Sequence, residues 1–193
     1  MVQFFKINQH AFIGILNLKD YAVRNNITFK RDLETQGKIY LLQQMFDDRI
    51  ELVYDKKGKP HLNNDPHHIS ISHSHDQLAI IANKEEATGI DIELIRDKVL
   101  KIKHKYLTQS ELLDANDDVE KLLIYWAAKE TLYKIYGLKE VDFIAHLFVK
   151  PFIKHNLGTI IGIISMPDFM DSFELNYKII DNYVLVYSLN RIK

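Results

Sequence analysis

The residues best suited to chemistry lie in two short stretches of mixed acids and bases. In Trp126-Ala127-Ala128-Lys129-Glu130-Thr131-Leu132-Tyr133-Lys134, Glu130 and Lys134 are four residues apart and side by side on a helix. Lys129 falls among Leu122, Tyr125, Trp126, Leu132, Tyr133 and Tyr136 on one broad apolar face, where an ammonium is costly without an anionic partner. In Gly89-Ile90-Asp91-Ile92-Glu93 the acids Asp91 and Glu93 alternate with Ile90 and Ile92. A strand there carries both carboxylates on one face, their Cα atoms about 6.5–7 Å apart, with Ile90 and Ile92 on the other. That spacing suits two oxygen ligands converging on one hard cation, with Glu130 as a third. Blander arrangements give the same patterns: a surface Glu–Lys pair beside a snorkelling lysine, and a plain half-exposed strand.

A second dense patch is His67-His68-Ile69-Ser70-Ile71-Ser72-His73-Ser74-His75-Asp76. On a strand His73 continues the Ile69/Ile71 side, and Ser70, Ser72 and Ser74 share the other. Such histidines suit a transition metal, as in a histidine-centred metallo-hydrolase, or a single phosphate contact. For His67, His68 and His75 a solvated position is the alternative. Arg96, Lys98, Lys101, Lys103, His104 and Lys105 form a basic run, either a solvated face or a surface that attracts an acidic partner. Gly58 stands alone before Lys59-Pro60, and neither a P-loop nor a dinucleotide fingerprint is present.

These residues need elements to hold them. The run 119–136 has neither Pro nor Gly and keeps helical spacing, which predicts a central helix. Thr108-Gln109-Ser110-Glu111 is a capping-box pattern that starts another. Shorter helices are predicted at 20–25 and 31–46. One or two strands are predicted over 4–16, one over 50–54, and adjacent antiparallel strands over 67–72, 78–82 and 88–94. Further strands are predicted at 143–149, 159–165, 173–180 and 183–189, with Asp181-Asn182 as a hairpin turn.

At 193 residues, 47% hydrophobic and 26% charged, the composition is that of a globular protein with one generous core or two small ones. A net charge of −1 argues for neither nucleic acid nor an anionic membrane as partner. The absence of cysteine excludes disulfides, thiolate zinc sites and a Cys nucleophile, and fits a reducing compartment. Met1-Val2-Gln3-Phe4-Phe5-Lys6 lacks the apolar run of a signal peptide, and no stretch approaches the roughly 20 apolar residues of a membrane span. The expected location is cytoplasmic.

Four motifs, Gly58-Lys59-Pro60, Ile71-Ser72-His73-Ser74, Gly89-Ile90-Asp91-Ile92-Glu93 and Trp126-x-x-Lys129-Glu130-x-x-x-Lys134, taken in that order, resemble those of the 4′-phosphopantetheinyl transferase superfamily. The resemblance implies an enzyme that moves phosphopantetheine from coenzyme A, its co-substrate, to a serine of an apo acyl or peptidyl carrier protein, releasing 3′,5′-ADP. Because the Gly-Ile-Asp-Ile motif begins only at Gly89, the chain looks like the longer, surfactin-synthetase-activating type rather than the short trimeric one. That type implies an α+β fold of two similar halves forming a pseudo-dimer, as a monomer, with the site between the halves. Here the halves are 1–86, contributing to coenzyme A binding, and 87–193, carrying the metal site and central helix.

Residue by residue, the resemblance implies Asp91, Glu93 and Glu130 as ligands of Mg²⁺ or Mn²⁺. It implies His73, Lys129 and Lys134 as contacts of the coenzyme A phosphates, with Lys59 and Pro60 also on that cofactor. Lys129 and Lys134 then act in catalysis beside Glu111, which falls where the family places a general base. Lys30, Arg31 and Lys38 occupy the region that grips the 3′-phosphate, Lys38 standing where an arginine is common; a lysine offers a point charge without the bidentate fork. Two alternatives stay open, a binding pseudoenzyme for carrier and coenzyme A, and the histidine-centred hydrolase. On this reading Lys129→Met leaves the fold intact and abolishes transfer.

Overall fold

Runs of Val, Ile and Phe broken by turn residues form two antiparallel sheets, and the helical runs lie against them. The structure, a computed structural model, describes residues 2–27, 30–138 and 140–192, the side chains of Lys30 and Arg31 excepted. The chain falls into two compact units, Met1–Thr88 and Gly89–Lys193. Each holds one sheet with its helices, the α+β class that the resemblance implies. No helix among the described residues is long and apolar enough to cross a membrane.

The first unit contains β1 (Val2–Lys6), β2 (Ala11–Asn17), α1 (Leu18–Asn25), α2 (Lys30–Met45), β3 (Leu52–Tyr54), β4 (Pro60–Leu62), β5 (His68–Ser74) and β6 (Gln77–Asn83). Its sheet runs β1-β2-β6-β5-β4-β3. Leu41 and Leu42 of α2 are fully buried in a core with Leu16, Leu18, Ile69, Leu78 and Ile80. Gly37 lets α2 settle there, since a Cβ at that position would lie 2.6 Å from Leu18 Cδ2.

The second unit contains β7 (Ile90–Leu94), α3 (Lys98–Ile102), a 3-10 turn (Lys103–Lys105), α4 (Gln109–Ala115), α5 (Val119–Tyr136), β8 (Leu147–Val149), β9 (Leu157–Met166), β10 (Phe169–Ile180) and β11 (Tyr183–Ile192). Its sheet runs β7-β11-β10-β9-β8. The Asp118 side chain accepts from Lys121 N at the start of α5, and Gly137, with φ of 68°, ends it in the left-handed conformation glycine favours. Between these caps α5 is buried on nearly all sides, from Leu122 to Ile135, against β7, β9 and β11. The predicted capping box closes α4: Thr108 Oγ1 accepts from Glu111 N, and Glu111 Oε2 accepts from Thr108 N.

The structure corrects three expectations of arrangement. β5 and β6 are antiparallel neighbours as predicted, but β7 leaves that sheet and pairs with β11, Asp91 opposite Val186. Alternation identifies strands without identifying their partners. The Asn83 side chain accepts from Glu85 N and Glu86 N, and this turn leads out of the first sheet instead of closing a hairpin. The strand predicted over 143–149 is confined to Leu147–Val149, because Asp142 Oδ1 accepts from Ile144 N and Ala145 N and folds that segment into a turn. The basic run, left without an element, forms α3 and the 3-10 turn.

Candidate active site

The face of β7 that carries Asp91 and Glu93 is covered, because α5 lies across it. Gly89 makes the approach possible: a Cβ there would fall 2.3 Å from the carbonyl oxygen of Thr131. Two residues on, Asp91 is 4% exposed, and its Oδ1 accepts from Lys134 Nζ at 2.7 Å. Lys134 also donates to Ile90 O at 2.9 Å. Glu93 Oε1 accepts from Trp126 Nε1 at 3.0 Å. Trp126, Glu130 and Lys134 follow at intervals of four and share a stripe of α5, so Glu130 sits between the indole and the ammonium. Its carboxyl is pushed up to about 7, first by burial and then by the negative charge of Asp91; Lys134 opposes the shift and Glu93 adds to it.

Glu130 lies within electrostatic reach of Asp91, Glu93 and Lys134, and an all-carboxylate donor set suits a hard divalent cation. As the side chains stand, no three His, Cys, Asp or Glu among the described residues form a group that could hold a metal. Lys134 is paired with Asp91 Oδ1. In charge and donor chemistry the seam fits such a cation.

Glu111 and Lys129 are brought to each other instead of to this seam. Lys129 is wholly buried and donates to Glu111 Oε2 at 2.7 Å, Tyr106 O at 2.7 Å and Phe143 O at 2.9 Å. All three ammonium protons are thereby taken. The same Glu111 oxygen accepts from Thr108 N at 2.8 Å and Thr108 Oγ1 at 3.0 Å, and Oε1 accepts from Val149 N at 3.0 Å. The anion that an ammonium on this apolar face requires is therefore a carboxylate of the protein. Burial lowers the Lys129 pKa, and Glu111 acts against that shift. The pair ties α4, α5 and the start of the C-terminal strands together.

Beside the seam lies a groove of about 550 Å³ with Lys98, Ile102, Lys105, Tyr106, Trp126 and Phe143 in its walls. Trp126 stacks on Phe143, ring centres 5.5 Å apart and planes at 23°, and meets Tyr106 edge-on at 4.9 Å. Sequence reasoning passed over this double role of Trp126. The available signal was its place one helical turn before Glu130.

The remaining candidates belong to the first unit. His73 is exposed, its Nε2 3.4 Å from Glu34 Oε2 on α2, and Lys38 is one turn further along that helix. Lys59 lies in the turn before β4, where Asp55 Oδ1 accepts from Lys57 N at 2.8 Å and Lys59 N at 2.9 Å around Gly58 at φ 87°. Burial lowers the Lys59 pKa against the pull of Asp55. Pro60 opens β4 opposite Tyr54. Lys30 and Arg31 lie outside the described side chains. Within the dense patch His67 pairs with Asp65 and packs edge-on against Phe12 and Phe46, while His73 faces Glu34.

The family model of the 4′-phosphopantetheinyl transferase superfamily matches residues 87–187, which include the whole β7–α5 seam. The chain is also similar to a protein named 4′-phosphopantetheinyl transferase gsp, from Aneurinibacillus migulanus, with 30% identity over 139 residues. That match covers 68% of this chain and 55% of the relative, so the chain spans about half the length of the curated relative it matches.

Proposed function

The chain belongs to the 4′-phosphopantetheinyl transferase superfamily, and we propose that it transfers the 4′-phosphopantetheine arm of coenzyme A to a serine of an apo acyl or peptidyl carrier protein, releasing 3′,5′-ADP. The observation that carries this reading is the seam in which Asp91, Glu93 and Glu130 lie together with Lys134, inside the segment that the family model matches. The longer, surfactin-synthetase-activating subtype agrees with the Gly58-Lys59-Pro60 and Ser72-His73-Ser74 motifs that precede the seam.

On this reading Asp91, Glu93 and Glu130 hold Mg²⁺ or Mn²⁺. When bound, that cation supplies the neutralisation of pyrophosphate charge that phosphoryl transfer requires. Lys134, whose ammonium already lies against Asp91, offers a positive charge to the leaving phosphate. In the first unit His73, Lys59, Pro60 and Lys38 contact coenzyme A, with Lys30 and Arg31 on its 3′-phosphate. Both oxygens of Glu111 and all three protons of Lys129 are engaged within the protein. In the proposed reaction Glu111 serves as general base and Lys129 contacts the coenzyme A phosphates, and in the structure the pair also fixes α4 against α5. The exposed lysines Lys98, Lys101 and Lys105 receive an acidic carrier surface. Lack of cysteine agrees with action in the cytoplasm.

A pseudoenzyme that binds carrier and coenzyme A has no use for an acidic seam that raises the pKa of its own member. Chelation separates the readings. Transfer that stops with EDTA and returns with Mg²⁺ supports the transferase, whereas carrier binding with no turnover at any Mg²⁺ concentration supports the binding protein.

A further inference from the structure

Trp126 stands where the acidic seam and the groove meet. Its ring is clamped between Phe143, stacked at 5.5 Å, and Tyr106, edge-on at 4.9 Å. A ring held on two sides has one orientation, and in that orientation its single N–H points at Glu93 Oε1, 3.0 Å away. Glu93 is half-buried near the end of β7, and its side chain has three rotatable bonds to settle before it can serve a cation. A hydrogen bond from a rigid donor to a carboxylate is charge-assisted and removes that freedom in advance. We propose that Trp126 is a positioning residue, whose indole N–H fixes Glu93 for divalent-cation binding with Asp91 and Glu130. This rests on the reading above in which those three acids hold the cation.

Outer partners that orient a metal ligand typically change metal affinity by about 10–100-fold when lost. The test is calorimetric titration of the full-length protein with Mn²⁺. Wild type is expected to bind at one site, and Glu130→Gln to lose it. Trp126→Phe keeps a ring in the clamp without the N–H, and its Mn²⁺ affinity is expected to fall by about 10–100-fold. Phe143→Leu weakens the clamp while leaving the N–H in place; it is expected to melt lower than wild type yet keep its Mn²⁺ affinity. Trp126 is the only tryptophan in the chain. Biosynthetic replacement by the benzothiophene analogue therefore removes this N–H alone, with the ring shape kept, and provides the measurement should Trp126→Phe not fold. Affinity within about twofold of wild type for the N–H-free forms overturns the proposal, as does an equal loss in Phe143→Leu, which would make the effect one of packing. A wild type that binds no Mn²⁺, or a Glu130→Gln that binds it as wild type does, removes the seam as the cation site and takes the underlying reading with it.

Discussion

Glu130 sits in surroundings that oppose its own charge. Burial, then Asp91 and Glu93, raise its carboxyl to about 7 despite Lys134. The folded chain thus binds more protons here than the unfolded chain does between about pH 4.5 and 7. Stability is fully present below that window and declines as pH rises through it. Glu130→Gln removes the decline. In metal-free buffer this variant should melt with wild type near pH 5 and above it at pH 8, while losing transfer; equal melting at pH 8 would contradict the assignment. Lys129 leads to the opposite outcome. Its place on an apolar face signals a need for an anion, and the sequence reading expected a phosphate, with Lys129→Met leaving the fold intact. The anion is Glu111, eighteen residues away in sequence, a closure that only tertiary structure reveals. Lys129→Met strands a buried carboxylate and should cost about 3–5 kcal/mol in urea denaturation, part of it recovered by adding Glu111→Gln. An undiminished stability would show that the pair is not the buried tie described above.

At the scale of elements, α5 was legible to the residue. An uninterrupted helical run lies between an Asp118 cap and Gly137, and both ends are local signals. The capping box of α4 was legible for the same reason. β7 was legible as a strand with two acids on one face, but not as a strand whose acidic face is covered. Period-2 alternation says which residues share a face, and α5 decides which face it packs on. Gly89 held the missing information, since only a residue without Cβ tolerates Thr131 O at that distance. Gly89→Ala should push β7 and α5 apart, cost about 1–3 kcal/mol, and lower transfer by separating Asp91 and Glu93 from Glu130. Chemical denaturation and a transfer assay check both effects; a fully stable, fully active variant would mean that the seam does not depend on this close approach. The pairing of β7 with β11 was beyond reach, because the partner strand lies some ninety residues downstream, at 183–192.

At the scale of the whole molecule, a net charge of −1 conceals a local excess of lysines on α3 and the 3-10 turn. Lys103 is tied to Asp117, while Lys98, Lys101 and Lys105 are exposed, and Lys101 with Lys105 is the pair to test. Lys101→Glu with Lys105→Glu should raise KM for carrier at low salt with little change in kcat. The effect should shrink at high salt, since exposed charges are screened beyond about 8–10 Å at physiological ionic strength. An unchanged KM at low salt would remove the docking role. The motifs of the first unit were legible as residue types, and in the structure His73 faces Glu34 while the Lys59 backbone N–H donates to Asp55.

The central claim is transfer itself, and intact-mass spectrometry tests it most directly. The full chain, coenzyme A and Mg²⁺ are incubated with a panel of apo acyl and peptidyl carriers, each also supplied with its target serine changed to alanine. At least one carrier should gain the mass of a single phosphopantetheine arm with matching release of 3′,5′-ADP, and its serine-to-alanine form should gain nothing. No mass gain on any carrier that an authentic family transferase modifies under the same conditions would contradict the account.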